Sequence, residues 1–352
     1  MEGQAMIDRP LNILSIPFDQ LVTEMRQRYG GSKYHAAALF REIYKHYPAD
    51  ISQVKELTRS PAFIEKLHQD FTFPLSRVVR HIQEGDLMKF VTQLADGLEI
   101  ESVIIPMGDR KTLCVSSQVG CRRECVFCET GKMGFLRNLN VEEIVGQVFQ
   151  VKAVWGINIR NIVFMGMGEP FDNLGNVVQS IKIISDQRGL DIAKRYITVS
   201  TVFIDGFQDL ARLNWPTLKL AISLNAPNDQ IRSQIMPVNH IFPMKRIQKA
   251  LLAFPLQKGS NFFFEYVIIK GVNDAKSHAR ELADFLRPLH AKVNIIPLNP
   301  CSKTPFIRPT DEDVQQFCDW LIAEKVFVRK RPEKGVNVMA ACGQLGNRRV
   351  NI

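Results

Sequence analysis

The apolar positions of residues 1–86 recur at helical spacing, which predicts a small region built of helices. Phe18 opens one predicted helix, and residues 34–47 form a second helix with apolar side chains along one face. No catalytic constellation stands out among these residues. We therefore expect residues 1–86 to form a helical N-terminal accessory domain.

Two neighbouring runs of alternating hydrophobicity predict a β-hairpin extension over residues 87–106. The runs cover residues 88–94 and 98–105, and the turn between them falls at Asp96–Gly97. Because a two-residue Asp-Gly hairpin turn places both of its residues at positive φ, we expect a positive φ at each. Residues 112–117 predict a third strand that continues the meander.

From residue 107 onwards, predicted strands alternate with predicted helices. The strands cover residues 161–165, 196–201, 218–224, 262–269 and 292–298. The helices cover residues 174–187, a segment from residue 205, and residues 275–286 and 311–324. Repeated βα units require a parallel sheet with right-handed crossovers. We therefore expect an α/β fold with a partial (β/α)6 barrel over residues 107–335 and a C-terminal tail over residues 336–352, with functional residues at the carboxyl ends of the strands.

The composition is that of a globular protein without a membrane span. Hydrophobic residues make up 45% of the 352 residues and charged residues 23%, which argues against disorder and against a fibrous repeat. The longest apolar runs fall far short of the ~20 residues needed to cross a bilayer. Residues 1–10 lack an apolar stretch of signal-peptide length, so we expect a cytoplasmic protein whose thiols meet a reducing environment.

The net charge favours a polyanionic partner. Lys and Arg number 45 against 36 Asp and Glu, which gives +9. Such an excess suits nucleic-acid binding, although it can also simply keep a protein soluble. Basic residues crowd the last two dozen positions, where only Glu333 opposes them, and form either an RNA contact or a solvated tail: Arg329, Lys330, Arg331, Lys334, Arg348 and Arg349.

Three of the seven cysteines lie close together in a C-x3-C-x2-C run. Cys121, Cys125 and Cys128 share one short loop directly after a predicted strand. Three thiolates on such a loop suit an iron–sulfur cluster, in which one iron would lack a protein ligand. The other four cysteines are isolated in the sequence: Cys114, Cys301, Cys318 and Cys342.

A structural zinc site is the alternative for the three clustered cysteines. Such sites normally close with four Cys or His ligands. No second pair of closely spaced cysteines occurs, and no histidine lies between His81 and His240. A fourth zinc ligand would have to come from far along the chain, so the iron–sulfur cluster is the favoured interpretation.

The three-cysteine run resembles that of the radical S-adenosylmethionine superfamily, and Phe127 matches the aromatic residue that usually precedes the last cysteine. The resemblance implies a 4Fe-4S cluster whose fourth iron is chelated by S-adenosylmethionine. An electron from such a cluster breaks a carbon–sulfur bond of the sulfonium and yields a 5′-deoxyadenosyl radical.

Residues 166–170, Gly-Met-Gly-Glu-Pro, follow a predicted strand and fit the same site. Their glycines would let the backbone approach a ligand closely, and Glu169 could receive the ammonium group of the cofactor. A plain strand-to-helix turn is the alternative.

Longer segments resemble the RlmN/Cfr family, whose members methylate an aromatic carbon of an adenosine in 23S ribosomal RNA. Cys114 and Cys342 lie in its two diagnostic motifs, and the matches at residues 135–139 and at Pro170 are closer to RlmN. The resemblance covers nearly the whole chain, and its most specific segments are residues 114–121, 134–139, 166–170 and 340–345.

The resemblance implies a mechanism through S-methylcysteine. Cys342 takes a methyl group from one S-adenosylmethionine, which requires its thiolate. A second S-adenosylmethionine supplies the radical that removes hydrogen from the methylthio group, so that the carbon radical adds to adenine. Cys114 then attacks the sulfur of Cys342, and a disulfide forms as the product leaves. Glu101 is the implied proton acceptor, with a surface glutamate as the alternative.

The resemblance also implies cofactor contacts and partners. The metal ligands are Cys121, Cys125 and Cys128, and the cofactor-binding residues are Gly168, Glu169, Ser200, Ser223, Leu224, Asn225 and Asn299. The partners are RNA, namely 23S ribosomal RNA with transfer RNA as a further candidate, and an electron donor such as flavodoxin or ferredoxin. We expect a monomer. Cys318 has the spacing of a core residue, and Cys301 has no assigned function.

Three departures from the family pattern leave the target open. Asn225 stands where the family has histidine, residues 337–339 (Asn-Val-Met) replace an acidic Asp-Ile-Asp segment, and Glu129 replaces a small residue after the cluster motif. None removes a reactive group. The sequence does not decide whether carbon 2 or carbon 8 of adenine is methylated, or whether the substrate is ribosomal or transfer RNA. Two other functions compete: a radical enzyme acting on another substrate, such as a peptide, and a non-catalytic iron–sulfur protein that binds RNA.

Overall fold

The computed structural model describes residues 10–58, 60–72, 76–302 and 304–346. Within these ranges the chain forms fourteen β-strands and eleven α-helices. The strands are β1 (Leu11–Asn12), β2 (Phe71–Thr72), β3 (Arg77–Glu84), β4 (Leu87–Gln93), β5 (Glu99–Met107), β6 (Arg110–Cys114), β7 (Gln118–Gly120), β8 (Phe135–Asn138), β9 (Asn161–Phe164), β10 (Ile197–Thr201), β11 (Lys219–Ser223), β12 (Phe262–Ile268), β13 (Ala291–Pro297) and β14 (Val328–Lys330). The helices are α1 (Phe18–Tyr29), α2 (Lys33–Lys45), α3 (Pro61–Asp70), α4 (Glu129–Lys132), α5 (Val141–Trp155), α6 (Leu174–Ile184), α7 (Phe207–Arg212), α8 (Asp229–Ile235), α9 (Met244–Ala253), α10 (Lys276–Leu286) and α11 (Asp311–Ala323). None of these helices has both the length and the apolar character that a bilayer span requires.

The chain divides into two compact units. The first contains the described residues up to Arg77, residues 139–160 and residues 175–193. Helices α1 and α2 confirm the two helices predicted near the N-terminus. The core of this unit is aromatic, because the ring of Tyr44 meets those of Phe40 and Phe149 at centroid distances of 4.6 and 5.9 Å. The second unit contains the other described residues, and all seven cysteines belong to it.

A ten-stranded sheet dominates the second unit. Its strand order is β14-β13-β12-β11-β10-β9-β6-β5-β4-β3. Every neighbouring pair from β6 to β14 is parallel, whereas β5 is antiparallel to both β4 and β6. Six helical crossovers link the seven parallel strands. The structure thus confirms the α/β fold with a partial barrel and a β-hairpin extension.

The turn of the hairpin differs from its prediction. Gly97 has a positive φ of 82°, but Asp96 does not have a positive φ. The amide of Leu94 donates to the carbonyl of Leu98, which leaves a loop of three residues, and the amide of Gly97 donates back to the carbonyl of Leu94. A three-residue hairpin loop needs only its last residue in the left-handed region. The Asp96 carboxylate instead accepts a hydrogen bond from the amide of Leu98.

The carboxyl ends of two central strands are held together by Arg232, which is fully buried. Its guanidinium donates to the carbonyl oxygen of Val202, after β10, and to that of Leu224, after β11, at 2.6 and 3.1 Å. Further donors reach Asn239 and the carbonyl of Phe242. The planar fork of arginine can serve several acceptors at once, so one side chain fixes the strand ends where the site forms.

A small two-stranded sheet of β7 and β8 leads into the three-cysteine loop. Gly120 ends β7 with a φ of 76°, and a Cβ atom there would lie 1.8 Å from the carbonyl oxygen of Gly134. Only glycine fits such a close backbone contact. The amide of Cys121 then donates to the same carbonyl at 2.9 Å, which fixes the start of the cysteine loop.

Candidate active site

The loop of Cys121, Cys125 and Cys128 lines a cavity of about 160 Å³ at the carboxyl ends of the parallel strands. The loop begins after β7 and passes into α4, and the amide of Cys128 donates to the carbonyl of Cys125 at 3.0 Å. Glu124 adopts a left-handed φ of 52° between the first two cysteines. This turn lets all three thiols line one space.

The electrostatics of the three thiols fit a metal cluster. Desolvation raises the pKa of Cys121 to about 12 and also raises the pKa values of Cys125 and Cys128, with Cys125 further raised by its two neighbours. Neutral thiols are therefore favoured until a cation compensates the buried charge. No three Cys, His, Asp or Glu side chains in the described ranges are arranged to hold a single ion. Three sulfur donors lining one cavity are a donor set that fits an iron–sulfur cluster.

The Gly-Met-Gly-Glu-Pro segment follows β9 and forms another wall of the cavity. The sequence led us to expect that its glycines let the backbone approach a ligand closely, but the close contacts of these glycines are with other residues of the chain. A Cβ atom on Gly168, whose φ is 96°, would lie 2.4 Å from the side chain of Gln118, and one on Gly166 would lie 2.6 Å from the carbonyl oxygen of Val115. These glycines therefore pack the segment against Val115, directly after β6, and against Gln118 at the start of β7.

Glu169 lies in this segment and is 3% exposed. Its two carboxylate oxygens accept hydrogen bonds from the backbone amides of Phe171 and Val202 at 2.9 and 3.0 Å. Desolvation raises its pKa to about 7, while the hydrogen bonds from the backbone oppose the rise. A buried carboxylate at the wall of a cavity is suited to receive a cationic group.

The predicted residues at the ends of β10, β11 and β13 divide into two sets. Ser200 and Ser223 line the cavity, and their hydroxyl oxygens lie 3.2 Å apart. Asn225 and Asn299 also line it. Leu224 is fully buried and does not line it. The structure therefore brings the polar members together at the cavity and assigns the side chain of Leu224 to the core.

Cys342 lies in the loop after β14 and connects two cavities. It lines the three-cysteine cavity and also a second cavity of about 90 Å³, and it is exposed because it faces the open space of both. Cys114, at the end of β6, is 7% exposed and lines the second cavity. Both thiols are free. The two isolated cysteines singled out in the sequence thus meet at one small cavity.

Glu101 is buried rather than on the surface, with 8% exposure. It lies on β5 opposite Val91 of β4, and its carboxylate pairs diagonally with Lys89 of β4, a lysine that is 1% exposed and that the sequence pattern did not single out. The Lys89 ammonium donates to Oε1 of Glu101 at 3.4 Å, and the amide of Gly346 donates to Oε2 at 2.7 Å. A charged hairpin pair thus contacts the loop that contains Cys342.

Comparison with known proteins identifies the family. The model of the Radical SAM superfamily matches residues 115–286. A dual-specificity RNA methyltransferase RlmN of Campylobacter lari is 39% identical over 334 residues, which are 90% of this chain and 93% of that protein. The RlmN of Syntrophotalea carbinolica is 38% identical over 343 residues, 96% of this chain and 90% of that protein. This chain belongs to the RlmN family of the radical SAM superfamily.

A solved structure agrees with that assignment. The crystal structure of a radical SAM methyltransferase from Sphaerobacter thermophilus matches with a TM-score of 0.87 and 36% identity, over 96% of this chain and 99% of that chain. Radical SAM membership implies a 4Fe-4S cluster and S-adenosylmethionine. The thiols and the polar side chains that line the three-cysteine cavity could hold these two groups.

Compared with the RlmN family pattern, Asn225 is a substitution that the backbone explains. Its φ is 58°, a left-handed conformation in which asparagine and histidine are both enriched among non-glycine residues. Its Oδ1 accepts a hydrogen bond from the amide of Val267 on β12 at 2.9 Å, and its carbonyl accepts one from Asn273 at 2.8 Å. Asn225 therefore braces the end of β11 against β12.

Glu129, the second departure, links the cysteine loop to the chain after β13. It is 5% exposed, and its carboxylate accepts hydrogen bonds from the amide and the hydroxyl of Ser302, the latter at 2.7 Å. Lys132 contacts both Glu129 and the carbonyl of Ser302. The third departure is the segment of residues 337–339, in which Asn337 is exposed. The side-chain amide of Asn337 donates a hydrogen bond to Glu84 on β3 at 2.7 Å.

Two charged residues of the cavity were not recognised in the sequence. Glu265 lies on β12, is 5% exposed and accepts hydrogen bonds from Asn294 at 2.8 Å and Arg331 at 3.2 Å. A single acid within the apolar run Phe262–Ile269 was the available signal. Arg331, grouped above with the basic tail, lies in the wall of both cavities beside Cys342.

The rest of the predicted basic tail is also structured where it is described. Lys330 on β14 pairs with Asp311 at 2.7 Å, and Lys334 donates to the carbonyl of Pro106. Arg348 and Arg349 lie outside the described residues. The solvated-tail interpretation is therefore wrong for Arg331 and Lys334, which are half-buried and have partners within the second unit, whereas Lys330 is exposed and its ion pair with Asp311 lies at the surface.

The last two cysteines have different surroundings. Cys318 is 4% exposed within α11, which confirms the prediction that it is a core residue. Cys301 is half-buried, and its thiol contacts the carbonyl oxygens of Phe127 and Gly343 at 3.1 and 3.6 Å.

A larger cavity, of about 360 Å³, lies near the amino ends of β11 and β12 and contains no cysteine.

Proposed function

We propose that this protein is a radical SAM RNA methyltransferase that methylates carbon 2 or carbon 8 of an adenosine in 23S ribosomal RNA, with transfer RNA as a further substrate candidate. It acts in the cytoplasm as a monomer and receives electrons from a donor such as flavodoxin or ferredoxin. The observation that carries this proposal is that Cys114 and Cys342 line one cavity, which Cys342 connects to that of the three clustered cysteines. The RNA substrate is supported by the relatives named above.

The residues present fit the two groups that the family requires. Cys121, Cys125 and Cys128 would hold the cluster, and the cavity residues that would contact S-adenosylmethionine are Gly168, Glu169, Ser200, Ser223, Asn225 and Asn299. Leu224, for which the resemblance also implies a cofactor contact, does not line this cavity, and its carbonyl oxygen accepts a hydrogen bond from Arg232. When bound, the cluster and two S-adenosylmethionine molecules per turnover supply a methyl group and the one-electron chemistry that makes its carbon reactive.

Cys342 is the methyl acceptor, which requires its thiolate to displace the methyl group from a sulfonium. Desolvation raises the pKa of Cys342, and the guanidinium of Arg331 opposes that rise. Arg331 is itself held by Glu265. The positive charge beside Cys342 thus favours the reactive form of the thiol.

Glu101 takes the proton from the adenine carbon after the methylene group has joined protein and RNA, and the one electron left over from the radical addition would return to the iron–sulfur cluster when that cluster is bound. This role is supported by the burial of Glu101 and by the hydrogen bond that its carboxylate accepts from the amide of Gly346, in the loop of Cys342. A carboxylate within hydrogen-bond reach of the departing proton is the geometry that general-base catalysis requires.

Cys114 then resolves the joined species. Its thiolate attacks the sulfur of Cys342, the bond from that sulfur to the methylene carbon breaks, and the electron pair stays on the carbon, which is protonated to a methyl group. The products are methylated RNA and a Cys114–Cys342 disulfide, which an external thiol reductant must reduce before the next turnover. Desolvation raises the pKa of Cys114 to about 12, with the charge of Cys342 as a further cause. The attack therefore needs a base to take the thiol proton.

Mass spectrometry of ribosomal and transfer RNA from cells with and without this protein tests the target. A methyl group on an adenine carbon that disappears with the gene is the expected result, and its position decides between carbon 2 and carbon 8. Unchanged methylation of both RNA classes would contradict the proposal and leave another radical SAM substrate, such as a peptide.

Replacement of Cys114 by alanine tests the division of labour between the two cysteines. Addition to RNA should proceed without resolution, so protein covalently attached to RNA should accumulate as a nuclease-sensitive slow band on a denaturing gel. The control is Cys114→Ala combined with Cys342→Ala, in which the band should be absent. Normal methylation by Cys114→Ala with no such band would show that Cys114 is only a strand residue.

A further inference from the structure

Lys89 is a buried charge that the proposed chemistry does not use. It is 1% exposed on β4, and lysine is almost never fully buried unless its ammonium is paired. Its Nζ donates to Oε1 of Glu101 at 3.4 Å and to the carbonyl oxygen of Met339 at 3.2 Å. One ammonium group therefore joins the hairpin to the chain after β14.

Glu101 contacts the same loop at its other end. Its Oε2 accepts a hydrogen bond from the amide of Gly346 at 2.7 Å. The two hairpin side chains thus hold residues 339 and 346, and Cys342 lies midway between these two points. Met339 has a left-handed φ of 51°, a conformation that costs free energy for a residue with a side chain and persists only where neighbours hold it.

The loop of residues 339–346 covers Cys114. Ala340, Ala341 and Leu345 line the second cavity together with Cys114 and are 7, 8 and 4% exposed. Cys114 itself is 7% exposed, whereas Cys342 is exposed. Shielding of one thiol and exposure of the other therefore depend on where this loop lies.

The backbone of Glu101 is linked through Ser116 to the segment that contains Glu169. The carbonyl oxygen of Glu101 accepts from the hydroxyl of Ser116 at 2.7 Å, and that hydroxyl oxygen accepts from the amide of Met167 at 2.9 Å. Met167 directly precedes Gly168 and Glu169 in the sequence. Glu101 is thus tied by its backbone to the segment of Glu169 and by its side chain to the loop of Cys342.

We propose that Lys89 and Glu101 form a latch that holds the 339–346 loop closed over Cys114, which makes Lys89 a positioning residue for Cys342. With the latch closed, Cys342 faces the three-cysteine cavity, and Cys114 is shielded from thiols and oxidants in solution. The consequence for methyl transfer rests on the proposed function, but the latch itself does not.

Alkylation of the free thiols by iodoacetamide tests the latch without RNA or S-adenosylmethionine. The protein is isolated anaerobically with its cluster, and peptide mass spectrometry follows the modification of Cys114, Cys342 and Cys318 with time. Lys89→Met removes the ammonium group at similar side-chain volume. Because a buried carboxylate that loses its partner favours local opening, Cys114 should be alkylated at least about tenfold faster in Lys89→Met than in the unmodified sequence.

Two internal comparisons separate local opening from unfolding. Cys318, buried in α11 away from the loop, should keep its alkylation rate. Lys111→Met replaces a half-buried lysine on β6 and should leave Cys114 protected. Equal protection of Cys114 in Lys89→Met and Lys111→Met would overturn the latch.

Glu101→Gln decides the matter if Lys89→Met exposes Cys318 as well. Glutamine keeps the volume and an oxygen acceptor for Gly346 and removes the charge that holds Lys89. Faster alkylation of Cys114 with Cys318 unchanged supports the latch, and unchanged Cys114 overturns it. The double variant should add little to either single variant, because both remove the same interaction.

A second readout connects the latch to turnover. In the Cys114→Ala background, Lys89→Met should lower the yield of protein–RNA adduct at least about tenfold at equal iron content, because Cys342 is no longer held in place. Absence of adduct in Cys114→Ala alone would count against the proposed function, and the alkylation result would still decide the latch.

Discussion

The side-chain amide of Asn299 donates a hydrogen bond to the carbonyl oxygen of Cys342, with 3.0 Å between Nδ2 and O. Asn299 follows β13, and Cys342 lies 43 residues later in the chain. The same side chain lines the three-cysteine cavity. Asn299 therefore positions the peptide of the proposed methyl acceptor, in addition to the cofactor contact that the family resemblance implies.

Asn299→Ala should slow methylation of Cys342 about fivefold, because a hydrogen bond of this kind contributes about 1 kcal/mol. The measurement is the mass of the Cys342 peptide after anaerobic incubation with S-adenosylmethionine. Asn261→Ala is the control, since Asn261 precedes β12 at the opposite ends of the strands. A variant that needs more S-adenosylmethionine but methylates Cys342 at the normal maximal rate would limit Asn299 to cofactor contact.

Glu129→Ala should weaken retention of the cluster. The unmodified protein, isolated anaerobically, should be brown and carry about four irons per chain. Loss of the Glu129 carboxylate removes the two hydrogen bonds that Ser302 donates to it and leaves Lys132 without its carboxylate partner. Iron release on exposure to air, followed by visible absorption, should then be several-fold faster.

Ser302→Ala is the matched control for Glu129→Ala, because it removes the hydroxyl contact and keeps the carboxylate. Its iron release should be intermediate between that of the unmodified protein and that of Glu129→Ala. Equal iron release in all three proteins would show that Glu129 does not brace the loop. One zinc per chain with no visible absorption, after anaerobic cluster reconstitution, would contradict the cluster itself.

The barrel strands were predictable because buried parallel strands are short, nearly continuous apolar runs. The predicted strand over residues 262–269 and β12 (Phe262–Ile268) differ by one residue. Other elements lacked such a signal. In α5 (Val141–Trp155) eight consecutive residues are buried, so no helical stripe stands out. In β3 (Arg77–Glu84) no residue is buried, since the strand lies at the sheet edge.

The site was predictable where its chemistry is local in sequence. The spacing of Cys121, Cys125 and Cys128 on one loop is visible in a single line of residues. Lys89 gave no such signal, because its burial depends on Met339, 250 residues away. Arg331 looked like part of a basic tail for the same reason. The function of an isolated charge is set by its tertiary partners, which residue spacing does not contain.

Arg348→Ala combined with Arg349→Ala should flatten the salt dependence of RNA binding. Each lost phosphate contact should reduce the slope of log K against log salt by about 0.7 for single-stranded RNA. Arg212→Ala with Arg287→Ala is the control, because it removes the same charge from two exposed residues on α7 and directly after α10. An equal slope in the double variant and the unmodified protein would show that the terminal arginines do not contact RNA.

Glu169 should make S-adenosylmethionine binding depend on pH near neutrality. Desolvation raises its pKa to about 7, so the carboxylate that would receive the cofactor ammonium is only partly ionised at that pH. Affinity for S-adenosylmethionine should increase as pH rises through 7. Equilibrium dialysis of the anaerobic holoprotein at several pH values measures this, with Glu169→Gln as the variant that should bind weakly and without the same pH dependence.

The free energy of unfolding should depend on pH in the opposite sense. Because the folded-state pKa of Glu169 is raised above its ordinary value of 4.5, the folded state holds a proton that the unfolded state has lost between 4.5 and about 7. This contribution to stability is fully present below the ordinary pKa and is lost as pH rises through the folded pKa. Without S-adenosylmethionine, Glu169→Gln should therefore gain stability relative to the unmodified protein as pH rises through this window. Denaturant unfolding of both proteins at each pH measures the difference, and a constant difference would mean that the carboxylate of Glu169 is ionised throughout.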